Sequence, residues 1–242
     1  MSPLTTRLLV ASPLADVVRE PLERLLEPAI VISAGSPDEV RQALKTGLRF
    51  DAVLTDLVSN AESWGFGFDG LDVLSIVRQR DPGTPLVYAL HSEQGESEHV
   101  AELTARGEAT ALVLKTQPLV GIADVLRDAV SRPGGAVRRR PGSALYDYFS
   151  SGQRGVTAGR LAGAIAAGRA SDTESLAAAA SVSSSTAEKL AGYLRPIMVA
   201  REEHRPELRL TSASVYRWCG LHARYLTSWC RRHGHEDVLG IS

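Results

Sequence analysis

Five short apolar runs, each followed by a stretch with helical spacing, fill the first 130 residues and leave few folds open. Arg7–Ala11, Ala29–Ser33, Ala52–Thr55, Pro85–Leu90 and Ala111–Leu114 are of strand type. After them, Val17–Leu26, Pro37–Leu44, Gly70–Arg80, Glu96–Arg106 and Val120–Val130 carry apolar residues three and four apart, with Ser36 placed to cap the second. Strands that are apolar throughout are covered on both faces, and strict strand–helix alternation favours parallel pairing. The pattern predicts an α/β doubly wound, five-stranded parallel sheet over residues 1–130. The functional crevice of such a sheet lies at the carboxyl ends of its strands. Ala11, Ser12, Asp56, Leu90, His91 and Lys115 occupy those ends.

Three features at these positions carry a resemblance: Asp56 in FDAVLTDL, Asp69-Gly70-Leu71 opening the third helix, and Lys115 in ALVLKT. Their order and spacing resemble the receiver domain of bacterial response regulators over about residues 5–130. The resemblance implies that Asp56 stands where that family carries its phosphorylated aspartate and Lys115 where a lysine contacts the phosphoryl group. Two departures oppose ordinary receiver chemistry. The acidic pair that holds Mg²⁺ in the family is here Ala11 and Ser12, and the strand-end hydroxyl is replaced by Leu90, with His91 and Ser92 following. Phosphoryl transfer to a carboxylate needs a cation to neutralise the incoming oxygens, and one Asp does not assemble a Mg²⁺ site. The expectation is an atypical receiver in which Asp56 and Lys115 form a strand-end ion pair. The loop after Asp56 is also long, and its Trp64, Phe66 and Phe68 suggest an alternative, a lid for a small-molecule effector.

Residues 131–143, with two Pro and three Gly around the Arg138–Arg140 triplet, read as a linker. Beyond it, residues 144–242 read as an all-α helix-turn-helix domain. Ala144–Phe149 is an aromatic helical turn, and Thr157–Ala167 is a helix of small residues. In SDTESLAAAASVSSSTAEKLAGYL, Ser171 or Asp172 can cap a short helix, Ser181–Ser183 makes a turn, and Ser183 can cap a second helix. That second helix runs from Ser184 towards Leu194, with Ala187, Leu190, Ala191 and Leu194 inward, and Pro196 is placed to kink or end it. The pattern is similar to the output helices of response regulators, although that family's usual opening motif is absent before Leu161. The resemblance makes Ser184, Ser185, Thr186, Glu188 and Lys189 the base- or phosphate-facing positions, with Tyr193 and Arg195 nearer the DNA backbone.

Leu208–Thr211 could be a short strand or an extended piece, and Ser212–Arg232 reads as one long helix. Its stripe of Val215, Trp218, Cys219, His222, Tyr225, Leu226 and Trp229 offers core and a dimer contact, and Arg217, Arg224, Arg231 and Arg232 offer phosphate anchors. The Cys219/His222 and Cys230/His233 pairs lie about 16 Å apart on a continuous helix, too far for one tetrahedral zinc, so no metal is expected. Charge divides the chain. Residues 1–130 hold 11 Lys+Arg against 19 Asp+Glu, and residues 131–242 hold 16 against 9. A basic second half suits a polyanion.

No apolar run is long enough to span a membrane, no leader is evident, and two cysteines make no disulfide framework, so a cytoplasmic protein is expected. No nucleophile elbow, phosphate loop or paired catalytic carboxylates appear, so neither an enzyme nor a cofactor is expected. The sequence favours a DNA-binding transcriptional regulator acting on double-stranded DNA as a homodimer. The alternative is a protein-interaction adaptor whose helical half binds another regulator.

Overall fold

The computed structural model describes residues 5–59, 61, 68–92, 94–132 and 144–240. The chain divides into two compact units, residues 1–140 and 141–242.

The first unit alternates strand and helix: β1 (Thr6–Ala11), α1 (Ala15–Leu25), β2 (Ala29–Ala34), α2 (Pro37–Lys45), β3 (Ala52–Asp56), α3 (Gly70–Arg80), β4 (Leu86–Leu90), α4 (Ser97–Arg106), β5 (Ala111–Leu114) and α5 (Leu119–Ser131). All strand pairs are parallel, in the order β2-β1-β3-β4-β5. The doubly wound sheet is therefore as the sequence predicts. β3 and β4 are buried at every residue, because the sheet separates two apolar layers. Leu9, Val53, Leu71, Leu74 and Leu103 build one layer; Leu8, Val10, Leu22, Ala123 and Leu126 build the other. Each fully buried Leu contributes about 2 kcal/mol of apolar transfer. Reversal of strand order beside β1 opens a crevice at the carboxyl ends of β1 and β3.

The second unit is helical: α6 (Leu145–Phe149), α7 (Gly152–Ala166), α8 (Thr173–Ala179), α9 (Ser184–Glu188), α10 (Leu190–Ala200), α11 (Ser212–Leu221) and α12 (Ala223–Arg232), then a 3-10 turn at Glu236–Leu239. Its core forms where α7 meets α12. A Cβ on Gly159 would sit 2.6 Å from the Trp229 ring, and one on Gly163 would sit 2.2 Å from Cys230 Sγ. These glycines let the fully buried Trp229 lie against the α7 backbone, with the Phe149 ring centre 5.3 Å away.

Several local expectations are corrected. The second helix predicted from Ser184 towards Leu194 is two, α9 and α10, parted at Lys189 (φ −77°, ψ −5°). The helix predicted over Ser212–Arg232 is two helices, parted at His222 (φ −101°, ψ 12°). Gly220 weakens the preceding turn, and His222 is held by Glu203 at 3.4 Å. Of the apolar stripe, Val215, Trp218, Cys219, Tyr225, Leu226 and Trp229 are core, and His222 is half-buried. Pro196 does not end its helix, because α10 continues to Ala200. Leu208–Thr211 forms no strand; Leu210 is buried, and Thr211 caps α11 by accepting the Ser214 N–H.

Candidate functional site

The crevice is assembled by three strand ends. Asp56 closes β3, where register sets it beside Ala89 of β4 and where only 5% of it is exposed. A carboxylate buried this far must be paired or hydrogen-bonded. Its Oδ2 accepts from Lys115 Nζ at 2.7 Å and from the Ser12 hydroxyl at 3.1 Å. Ser12 Oγ in turn accepts the Leu14 N–H at 3.1 Å, which fixes the direction of its proton. Lys115 Nζ also lies 3.0 Å from His91 Nε2. The His91 N–H donates to Glu96 Oε1 at 3.3 Å.

Gly70 is dictated by the same crevice. A Cβ there would lie 2.6 Å from the Asp56 carbonyl oxygen and 2.9 Å from Leu57 Cα. Asp69 caps α3 by accepting the Leu71 and Asp72 N–H groups, and Asp72 returns a bond to the Asp69 N–H at 2.7 Å. The Asp-Gly pair therefore lets α3 start hard against the end of β3.

This donor set does not fit a hard divalent ion. Ala11 has no side-chain oxygen, Ser12 offers a neutral hydroxyl already committed to Asp56, and the lysine ammonium occupies the same carboxylate oxygen. Charge compensation for Asp56 comes from within the chain. Phe68 does not line a lid; it is buried in the core, 5.3 Å from the Arg41 guanidinium. Trp64 and Phe66 lie outside the described residues, as do Arg138–Arg140.

The second candidate site is the serine-rich turn and helix. Asp172 caps α8 by accepting the Ser175 N–H at 2.8 Å, and the bonds from Ser175 hold its carboxyl below the usual carboxylate range. α8 ends on Ser181 in the left-handed region (φ 52°), with Val182 N–H bonded to Ala177 O and Ser181 N–H to Ala178 O. This is a Schellman closure with serine in the usual glycine place. Ser183 then caps α9 by accepting the Thr186 N–H at 3.3 Å. Ala187, Leu190 and Leu194 are buried and Ala191 is half-buried, while Ser184, Ser185, Glu188 and Lys189 are exposed. Thr186 is half-buried, and its hydroxyl meets Ser183 Oγ at 2.9 Å.

The other expected contacts are drawn into the fold. The Arg195 guanidinium donates to the Pro206 carbonyl, and the Tyr193 carbonyl accepts the Tyr148 hydroxyl. Arg231 and Arg232 turn back onto Ser228, with Arg231 Nε and Nη1 and Arg232 Nε shielded from solvent. Arg217 is exposed.

No protein-family model and no curated protein matches the chain. Among solved structures, it is similar to a response regulator receiver domain protein from Clostridium thermocellum, at 18% identity and TM-score 0.41 over 52% of this chain and 95% of that one. It is similar to the receiver domain of a sensor histidine kinase from Pseudomonas aeruginosa, described with a magnesium ion in its active site cleft, at 16% identity and TM-score 0.43 over 53% and 100%. A response regulator receiver protein from Sinorhizobium medicae gives 19% and 0.40 over 54% and 96%.

Sequence reasoning missed two arrangements. His91, next to the strand end, bridges to Lys115; only the strand order brings β4 and β5 together to show it. Glu203 gathers Trp218 Nε1 at 2.6 Å, His222 and Arg201 around one carboxylate. Burial pushes that carboxyl up, but the bonds from His222, Arg201 and Trp218 outweigh it and hold it at about 2. Burial also pushes the Cys219 and Cys230 thiols up to about 12. Among the described residues, no helix is long and apolar enough to cross a membrane.

Proposed function

We propose that this chain is a DNA-binding transcriptional regulator, an atypical response regulator whose α/β unit works without ordinary aspartyl phosphorylation. One observation carries the reading: a tight left-handed turn at Ser181 delivers a serine-capped helix whose inward face is core and whose outward face shows Ser184, Ser185, Glu188 and Lys189. Small hydroxyls and one ammonium leave such a helix narrow enough for a major groove and able to meet base edges or phosphates. In the α/β unit, Lys115 and Ser12 already bond Asp56 Oδ2, and Ala11 and Ser12 supply no second carboxylate for a divalent ion. Control then passes through a partner protein, a small effector or pairing of two copies, since two-fold symmetry suits paired half-sites.

The test has two arms. Full-length protein competed against genomic fragments should bind a subset, more weakly as salt rises. Acetyl phosphate with Mg²⁺ should leave no stoichiometric acid-labile phosphate on Asp56. Stoichiometric phosphate there would overturn the second half of the proposal.

A second reading, a protein-interaction adaptor, is favoured by charge. Residues 144–242 hold 12 Lys+Arg against 9 Asp+Glu, a modest surplus, and Glu188 shares the exposed face. Full-length protein that ignores every fragment at low salt would favour it.

A further inference from the structure

Pro196 changes the surface of α10 at a distance. It has no N–H, so the carbonyl of Gly192, four residues earlier, loses the donor a helix would supply. A side chain from another helix takes that place: Arg154, in the first turn of α7, donates Nη2–H to the Gly192 carbonyl at 3.0 Å. The same guanidinium lies 5.2 Å from the centre of the Tyr193 ring. Arg154 is thereby held in position, yet it is exposed, and a guanidinium has five N–H donors to offer.

The place where it is held lies on the outward side of the reading helix. Across the α9–α10 junction, Ser185, Lys189 and Gly192 are exposed, whereas Ala187, Leu190 and Leu194 are buried. Lys189 is about one turn before the Gly192 carbonyl. Gly192 itself meets nothing: a Cβ there would project into open space. No neighbour within the unit requires glycine at this helical position, where alanine is the better helix former. A surface without a Cβ lets an incoming backbone approach closely.

We infer that Arg154 is a phosphate-binding residue of the DNA face, paired with Lys189 across the low surface at Gly192. This rests on the DNA-binding reading above and adds a residue from outside the turn and helix. A pre-positioned guanidinium suits a phosphate because its N–H groups bind in parallel and little side-chain freedom is lost on contact.

Arg154 also satisfies a carbonyl, so Arg154→Ala alone mixes two effects. Pro196→Ala restores the N–H that Gly192 needs and releases Arg154 from that task. In this background, Arg154→Ala removes the cation and leaves the helix bonded. Duplex fragments selected by the parent protein are titrated with each full-length variant by fluorescence anisotropy, from about 50 to 200 mM salt. The double variant should bind several-fold more weakly than Pro196→Ala, with a log K against log[salt] slope shallower by about 0.9 and an equal melting temperature. Gly192→Ala should melt higher than the parent and bind more weakly. Unchanged affinity and slope in the double variant, beside a parent that binds, would overturn the inference alone and make Arg154 a helix prop. A parent that binds no duplex would overturn the DNA reading and this inference with it.

Discussion

The two units treat their charged groups in opposite ways. In the α/β unit, the Asp56 carboxylate is paired with a lysine that follows β5 and a hydroxyl that follows β1. In the helical unit, several arginines are spent on backbone carbonyls and side chains, as Arg195 on Pro206, Arg160 on Asp237 and Arg201 on Glu203. The lesson concerns net charge. The basic surplus of residues 131–242 includes four arginines before residue 144, and much of the remainder braces helices. Lys189 is among the basic residues that stay exposed.

The contrast is broken most severely through packing. Gly163→Val drives a branched side chain into Cys230 and should destabilise the helical unit by about 3 kcal/mol, the upper range for overpacking. Thermal unfolding of the full chain should show one transition move and the other stay. Movement of both would mean the units are not independent.

Lys115→Met comes next. It strands the Asp56 carboxylate, and because the lysine side chain keeps 18% exposure, the loss should be about 2 kcal/mol, below the full cost of breaking a buried pair. Adding Asp56→Asn should recover most of it, as read by urea denaturation. No recovery would mean that Lys115 acts through packing alone.

Glu203→Gln sharpens the same contrast in the helical unit. The group's carboxyl is depressed from 4.5 to about 2, so its contribution is fully present above 4.5 and is lost as pH falls through 2. With 29% of the side chain exposed, the expected loss at neutral pH is about 1.5 kcal/mol after screening. Parent and variant melting temperatures should converge near pH 2. A gap that persists there would remove charge as the cause.

The α/β fold is legible in the sequence because each buried strand is a continuous apolar run between helices of clear period, and Asp56, Asp69-Gly70 and Lys115 fall at readable strand or helix ends. Ser12 on Asp56 is less legible, since the partners lie 44 residues apart and meet only through β1–β3 pairing. The helical unit is harder to read. Caps at Asp172 and Ser183 are local and visible, whereas the Glu203 contact at the His222 break and the Arg154 bond to the Gly192 carbonyl, 38 residues away, are long-range. Period and composition carry no record of such distant partners.

The central claim is that the serine-capped helix meets DNA through its outward face, and Lys189→Ala tests it most directly. Lys189 is exposed at the junction of α9 and α10, so the variant should fold as the parent does. Titrated against parent-selected duplex across salt, it should bind more weakly at every concentration, with a slope shallower by about 0.9. Equal affinity and equal slope for parent and variant would contradict the account.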